Sequence, residues 1–171
     1  MRVARDLLGK LVVRRLPGGR LLTGRIVETE AYHGPRDQAS HARRGRTPRN
    51  APMFGPAGVA YVYQIYGMYF CLNTVTMRDG FPAAVLIRAI DLEARLGAGP
   101  GKLCRALAID RGLTGSDLIG GEDLWVGDDG HQVRPRQIEQ GPRVNVDYAG
   151  DWAAKPWRFW VSGHPAVSRR G

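Results

Sequence analysis

The sequence contains little cysteine. Its 171 residues include only two, Cys71 and Cys104, and each lies within an apolar segment, YFCLN or KLCRAL. Neither belongs to a Cys-x-x-Cys motif or to the cysteine and histidine spacing that is typical of zinc sites. This pattern favours reduced thiols in the core over a disulfide or a metal ligand. We therefore expect no bound metal, and nothing in the sequence indicates another cofactor.

Long hydrophobic runs are also missing. The longest apolar stretches have about the length of a β-strand, and residues 1–10 contain no central apolar run. A membrane-spanning helix needs about 20 mostly apolar residues, and a secretory signal needs an apolar centre. The sequence therefore predicts a soluble, intracellular protein without membrane association.

Common nucleotide-binding and nucleophile motifs are absent as well. The segment GAGPGKL at residues 97–103 resembles a phosphate-binding loop, but it lacks the first glycine of that motif and the hydroxyl residue after the lysine. No Gly-x-Ser-x-Gly motif occurs, and neither cysteine has a histidine close to it in the sequence. Any hydrolysis by this chain would therefore use an activated water molecule.

Positive charge is abundant. The chain has 25 Lys and Arg residues against 16 Asp and Glu, which gives a formal net charge of +9 and a pI near 10.2. Basic side chains that face phosphates gain affinity by releasing counterions, so this excess favours an anionic partner. A merely solvated basic surface is the alternative. With 43% hydrophobic residues, residues 1–171 are expected to form a single compact domain.

The residue patterns predict a mainly β structure. Two apolar stretches, residues 11–15 and 21–31, flank the turn Pro17-Gly18-Gly19 and predict an antiparallel hairpin. Residues 59–65 and 68–77 predict a second hairpin, with Tyr66 near its tip. A strand, a helix ended by Gly112 and three short strands are predicted after it, at residues 81–90, 102–109, 124–126, 143–146 and 158–161.

Residues 32–57 have no periodicity and are rich in glycine, proline, arginine and asparagine. Long irregular loops are usually functional. This one carries a single acid, Asp37, and five arginines: Arg36, Arg43, Arg44, Arg46 and Arg49. Arginine suits bidentate phosphate contacts, so the loop predicts phosphate binding, and a solvated basic loop is the alternative.

Carboxylates and tyrosines flank this loop. Glu28 and Glu30 alternate on one strand face, where a buried carboxylate near phosphates can act as a general base; an exposed, ion-paired glutamate is the alternative. Tyr61 and Tyr63 share a strand face, which fits either stacking on bases or an ordinary β core. Tyr66 should be exposed, and an exposed ring can fill the gap that a flipped nucleotide leaves.

Longer blocks of the sequence resemble the alkyladenine (3-methyladenine) DNA glycosylases. The blocks are ETEAYHGPRDQASHARRGRTPRN, MFGPAGVAYVYQIYGMYFCLN, VLIRA, GPGKLCRALAI and WAAKPWRFWV, and they follow the family's order over nearly the whole chain. The resemblance implies an α+β fold: a single compact domain with a curved, mainly antiparallel β-sheet, flanking helices and a protruding β-hairpin. It also implies a monofunctional glycosylase that hydrolyses the N-glycosidic bond of flipped-out alkylated purines in base excision repair.

The resemblance extends to single residues near the reacting bond. Glu30 corresponds to the base that activates water, and Arg88 and the carbonyl near Val144 correspond to groups that help hold it. The expected walls of the base pocket are Tyr32, His41 and Tyr63. Asn73 matches the purine-selecting asparagine, whose amide would collide with the 2-amino group of guanine.

Contacts with DNA are implied in the same way. Tyr66, flanked by Met68, corresponds to the side chain that enters the minor groove. The candidate phosphate contacts are Arg43, Arg44, Arg46, Arg49 and Lys102. The expected partner is double-stranded DNA that contains damaged purines, bound by a monomer, in the cytoplasm or nucleoid if the cell is bacterial.

The chemistry of an alkylated purine agrees with these roles. Its positive charge favours the electron-rich rings of Tyr32 and Tyr63, and it makes the purine a good leaving group, so that one carboxylate suffices. Substrates such as 3-methyladenine and 7-methylguanine are expected on this basis. Neutral hypoxanthine and ethenoadenine would need protonation, and the sequence identifies no general acid for that step. No lysine adjoins Glu30, so no lyase step is expected.

Two other classes of protein share this composition. A damage-binding module would use the basic loop and the tyrosine hairpin without chemistry, and an RNA-binding protein would also be small and basic. Glu30 distinguishes the enzyme from both, because an acid among phosphate-binding residues weakens simple binding and makes sense chiefly when water is activated.

Overall fold

One curled antiparallel sheet organises the protein. The computed structural model describes residues 1–168, which contain eight strands and two α-helices joined by irregular segments and short 3₁₀ helices. The helices are α1 (Arg2–Asp6) and α2 (Pro100–Ala106), and the strands are β1 (Leu11–Arg15), β2 (Leu21–His33), β3 (Ala60–Ile65), β4 (Tyr69–Val75), β5 (Ala83–Asp91), β6 (Leu124–Gly127), β7 (Ile138–Gly141) and β8 (Arg158–Val161). The predicted α+β fold is confirmed. No helix in residues 1–168 is long and apolar enough to cross a membrane.

Strand β2 lies at the centre of the sheet. The strand order is β3-β4-β5-β2-β1-β6, and β8, which pairs with β7, also pairs with β2. Strand β1 pairs with the first part of β2, and β8 pairs with Glu28, Thr29 and Glu30. Strand β5 pairs with β2 from Arg25 to His33, with a register shift around Glu28. The two glutamates therefore lie in a segment that neighbouring strands cover on both edges.

The main core packs the sheet against both helices. Leu72, Ile87 and Phe159 from the strands are buried together with Leu103 of α2, and each such side chain contributes about 1.5–3 kcal/mol through burial. Both cysteines are free and buried, as predicted. Burial raises the pKa of Cys71 to about 11, so its thiol stays protonated at neutral pH.

The register of the sheet places polar side chains from neighbouring strands in one row. Glu30 of β2 lies opposite Leu86 of β5, Leu86 lies opposite Asn73 of β4, and Asn73 lies opposite Tyr61 of β3. Directly opposed residues share a face of an antiparallel sheet. The register therefore brings a carboxylate, an amide and a phenol from three separate strands onto one surface.

Both predicted hairpins are confirmed. Strands β1 and β2 pair around the 17–19 turn, and β3 and β4 pair around Tyr66 and Gly67. The strand predicted at residues 143–146 is wrong. Asn145 there has a φ of 58°, in the left-handed region that no strand residue adopts. Strand β7 forms just before this turn and was not predicted.

The predicted helix has different ends. Helix α2 begins at Pro100, whose fixed φ and missing N–H suit the first helical position. It ends at Ala106, three residues before the predicted end at Ile109, because Ala108 turns to a φ of 50° and the Ile109 N–H donates back to the carbonyl of Cys104. Gly112 instead lies within the 3₁₀ helix Arg111–Leu113.

Candidate active site

A cleft of about 340 Å³ opens over the row of strands β3, β4 and β5. Its walls come from four sources: the sheet, the irregular segment after β2, the first residue of α2, and residues 144–148. The residues predicted from sequence that line it are Tyr32, His41, Tyr63, Tyr66, Asn73, Arg88 and Val144. The structure thus brings together side chains that are spread over more than 100 positions of the sequence.

Glu30 lies behind the wall of this cleft and has no exposed surface. Its Oε1 accepts a hydrogen bond from the Val144 amide at 2.7 Å and lies 3.3 Å from Nη1 of Arg88. Its Oε2 accepts a hydrogen bond from the Tyr32 hydroxyl at 2.8 Å. All three of these neighbours line the cleft, so a single layer of residues lies between the carboxylate and the space inside the cleft. The Val144 contact uses the amide, and the role expected of a carbonyl near Val144 stays a prediction.

The Tyr32 hydroxyl stays protonated and donates a hydrogen bond to the Glu30 carboxylate. Burial, followed by the negative charge of Glu30, raises the pKa of the Tyr32 phenol well above its usual value. The phenol is therefore protonated at any pH at which the protein would work. Its hydroxyl fixes one carboxylate oxygen, and its ring remains available as a wall of the cleft.

A balanced cluster of buried charges holds Arg88 next to Glu30. Arg88 Nε donates to Glu28 Oε1 at 3.2 Å, and Arg158 Nη1 donates to the same oxygen at 3.1 Å. Two carboxylates thus face two guanidinium groups. Desolvation opposes the charged form of Arg88, but Glu30 and Glu28 outweigh it and raise its pKa. Arg158 and the pairing of Glu28 were not predicted.

A second buried ion pair fixes the segments on either side of the cleft. Arg143 Nη1 and Nη2 donate to the two oxygens of Asp37 at 2.6 and 2.8 Å, and both side chains are fully buried. Asp37 also accepts hydrogen bonds from the amides of His33 and Ala39. The guanidinium lies 4.8 Å from the centre of the Tyr32 ring. The sequence does not predict this pair, because Asp37 lies in a basic loop, 106 positions from Arg143.

The aromatic wall is built by contacts among three rings. His41 packs edge-on against Tyr63 with ring centres 4.5 Å apart, and its Nδ1 lies 3.0 Å from the Tyr61 hydroxyl. Partial desolvation of the imidazole, together with the charges of Arg49 and Arg43, lowers the pKa of His41. Its ring is therefore neutral at pH 7, which is compatible with a cationic guest in the cleft.

Asn73 is held rigidly at the floor. Its Nδ2 donates to the carbonyl oxygens of Tyr61 and Cys71 at 3.1 and 3.3 Å, and the residue is buried. A side chain tied to two strands in this way cannot swing aside for a bulky group. The position suits the predicted steric selection among purines, which stays a prediction.

The tip of the β3–β4 hairpin projects into solvent. Tyr66 is 79% exposed and has a φ of 51°, and Met68 is 64% exposed. The amide of the Gln64 side chain donates to the carbonyl of Gly67 at 2.7 Å and closes the tip. Two large apolar side chains are thus presented outward on a braced turn, next to the cleft that Tyr66 also lines.

The residues predicted to contact phosphate differ in their neighbours and in their exposure. Arg49 Nη2 donates to the carbonyl of Gln64 at 2.9 Å, and Arg46 lies 6.0 Å from the ring of Phe54. Arg44 and Lys102 are exposed. Their contacts with phosphate, like that of Arg43, stay predictions. In the described part of the chain, no group of three His, Cys, Asp or Glu side chains is arranged to hold a metal ion.

Comparisons with known proteins give one consistent result. A family model described as Methylpurine-DNA glycosylase (MPG) matches residues 1–165. The chain is 51% identical to a Methanocella arvoryzae protein with the provisional name 3-methyladenine DNA glycosylase, over 99% of this chain and 91% of that protein. An Anaeromyxobacter dehalogenans protein with the same provisional name is 56% identical, over 98% and 80%. The Homo sapiens DNA-3-methyladenine glycosylase is 44% identical, over 97% of this chain and 63% of that protein.

Proposed function

The chain belongs to the methylpurine-DNA glycosylase family, and from that premise we propose that it releases flipped-out alkylated purines from double-stranded DNA. It is a DNA repair enzyme that hydrolyses N-glycosyl bonds. The proposal adds that it acts as a monomer and that 3-methyladenine and 7-methylguanine are its substrates, with hypoxanthine and ethenoadenine as further candidates. The observation that carries it is a buried carboxylate directly behind an aromatic cleft that has an exposed tyrosine at its edge.

In the proposed reaction, Glu30 accepts the proton of a water molecule as the water oxygen bonds to C1′ of the sugar. The N-glycosidic bond breaks, and its electron pair leaves with the purine, which becomes neutral if it was cationic. Arg88 and the Val144 amide keep the carboxylate in position through Oε1.

The cleft walls support the choice of a cationic guest. Tyr32 and Tyr63 line the cleft, and contact with the face of an aromatic ring stabilises a positive ring by about 0.5–2 kcal/mol. The neutral imidazole of His41 adds no opposing charge. A purine methylated at N3 or N7 is therefore favoured over the undamaged base before any chemistry occurs.

The contacts of Glu30 support a monofunctional enzyme. Within residues 1–168 its polar partners are Tyr32, Arg88 and Val144, and none of them offers an amine that would form a Schiff base with the sugar. The proposed product is thus an intact abasic site rather than a nicked strand.

Tyr66 gives a prediction about DNA binding. Replacing Tyr66 by alanine is expected to reduce the affinity for lesion-containing duplex about 10-fold or more, because the gap left by the flipped nucleotide would stay unfilled. The melting temperature should change little, since the side chain is 79% exposed. Fluorescence anisotropy with a lesion duplex and thermal denaturation would measure both. A large drop in melting temperature would mean that Tyr66 stabilises the fold instead.

The proposal is tested by base release. Duplex oligonucleotides that each carry one lesion (7-methylguanine, hypoxanthine, ethenoadenine or a stable 3-methyladenine analogue) are incubated with the protein and then treated with hot alkali. Strand cleavage that needs the alkali supports a monofunctional glycosylase and ranks its substrates. Binding without release from any lesion would favour the damage-binding module, and a preference for RNA would favour an RNA-binding protein.

A further inference from the structure

Two exposed aromatic side chains line the same cleft from different segments. In the described residues, Tyr66 at 79% and Tyr148 at 62% are the aromatics among the exposed large hydrophobic side chains, and both line the cleft. The hairpin accounts for Tyr66. Tyr148 lies in the 3₁₀ segment Asp147–Trp152, outside the hairpin. An exposed aromatic ring beside a cleft can stack on a nucleotide.

Tyr148 is held in place although it is exposed. The guanidinium carbon of Arg43 lies 5.0 Å from the centre of its ring, and its hydroxyl donates to the carbonyl of Ala39 at 3.4 Å. Beneath it, Val146 and Ala149 pack with Ala39 in a small apolar cluster. The ring therefore connects the segment after β2 to the segment after β7, at the edge of the cleft.

The guanidinium of Arg43 is also held in place. Its Nη1 donates to the carbonyl of Gln38 at 2.9 Å, which fixes one end of the guanidinium while the group stacks on Tyr148. A guanidinium carries five N–H donors in one plane, so stacking on a ring leaves donors at its edge for a phosphate. We refer to Arg43 and Tyr148 together as the rim pair.

We propose that the rim pair is a second DNA-contacting element, which holds the strand that carries the extruded nucleotide. Tyr148 packs against a deoxyribose or base of that strand, and Arg43 binds an adjacent phosphate. On the hairpin side of the cleft, Tyr66 fills the gap that the extruded nucleotide leaves in the duplex. On the other side of the cleft, the rim pair supports the strand. The inference rests on the proposed function, because it assigns a further part of the same DNA surface.

Binding to a non-hydrolysable duplex tests the rim pair. The probe is a fluorescent duplex with one tetrahydrofuran abasic-site analogue, titrated at several salt concentrations. Tyr148→Ala should weaken binding about 10-fold, the range found for aromatic contacts with nucleic acids. Tyr148→Phe should bind like the unmodified protein, because the ring is retained. Arg43→Ala should reduce the slope of log affinity against log salt by about one, as expected for one lost phosphate contact.

Arg20→Ala is the matched control. Arg20 is exposed and precedes β2, whereas the cleft-lining residue of that strand, Tyr32, lies 12 positions further along, near its opposite end. Its removal should leave the salt slope unchanged. The inference is overturned if Tyr148→Ala binds as tightly as the unmodified protein, or if Arg43→Ala and Arg20→Ala have the same slope. If the melting temperature of Tyr148→Ala is several degrees lower, its weaker binding no longer reports on the ring alone. The salt slope of Arg43→Ala then decides whether the inference stands.

The proposed function fails by a different outcome. Absence of base release by the unmodified protein from every lesion would refute the enzyme, while the binding data would still report on the rim pair. The rim pair is therefore judged by duplex affinity and its salt dependence, because Tyr148 lines the cleft and belongs to the proposed binding surface.

Discussion

Replacing Glu30 by glutamine is expected to reduce base release by about 1,000-fold while lesion DNA remains bound, within the range of 10²–10⁴ typical of a lost general base. Glutamine has nearly the same shape. Its carbonyl oxygen can still accept from the Val144 amide, and its amide group can donate to the Tyr32 hydroxyl. The change therefore removes the ability to take a proton from water and leaves the cleft walls where they are.

Single-turnover release of 7-methylguanine and anisotropy of the same duplex would measure the two effects of this change. Glu28→Gln is the matched control: it removes the same charge from the same buried cluster, but Glu28 contacts Arg88, Arg158 and Ser168 rather than Tyr32 and Val144. We expect Glu28→Gln to lower stability and to retain most of the rate. Equal loss of rate in both variants would mean that cluster charge, and not proton transfer, accounts for the result.

Replacing Asp37 by alanine is expected to cost about 3–5 kcal/mol of the free energy of unfolding, the typical result of removing one partner from a buried ion pair. The guanidinium of Arg143 would stay buried without a counter-charge, and the amides of His33 and Ala39 would lose an acceptor. At about 2–4 °C per kcal/mol for a chain of this size, the melting temperature should fall by about 6–20 °C.

Calorimetry or circular dichroism would measure this fall, and a second variant makes it specific. The double variant Asp37→Ala, Arg143→Met removes both charges and should recover part of the lost stability, because no uncompensated ion remains. A single variant that melts within 2 °C of the unmodified protein would contradict a stabilising ion pair. Because Arg143 precedes Val144, we also expect the rate of base release by the single variant to fall at temperatures where it is folded.

The parts of the fold that local signals determine could be predicted from sequence. The Pro17-Gly18-Gly19 turn and the Tyr66-Gly67 turn each lie between apolar stretches, and the structure has hairpins at both places. Seven of the residues matched to the family line one cleft, and their roles there stay predictions. These features depend on neighbours in sequence or on long blocks of resemblance, and neither requires knowledge of tertiary contacts.

The long-range ion pairs could not be predicted in this way. Asp37 and Arg143 are separated by 106 positions, and Glu28 and Arg158 by 130. Charged residues are mostly exposed, so a charge in a polar loop favours a solvated side chain unless its partner is known. The same limit explains the wrong strand at residues 143–146, where alternating valines resemble a β pattern while the Val144 amide donates to Glu30 and the Arg143 side chain pairs with Asp37.

Because β2 lies at the centre of the sheet, its backbone costs more free energy to expose than the turns at the edge of the cleft. Glu28, Thr29 and Glu30 pair with β5 on one edge and β8 on the other, so exposing this backbone requires opening much of the sheet. The hairpin tip and the rim pair lie on turns and 3₁₀ segments, which open at far lower cost. Amide hydrogen exchange is therefore expected to be slow in the strand that carries Glu30 and fast at the hairpin tip and the rim pair. If these turns contact DNA as proposed, they can adjust to a distorted duplex while the carboxylate keeps its place.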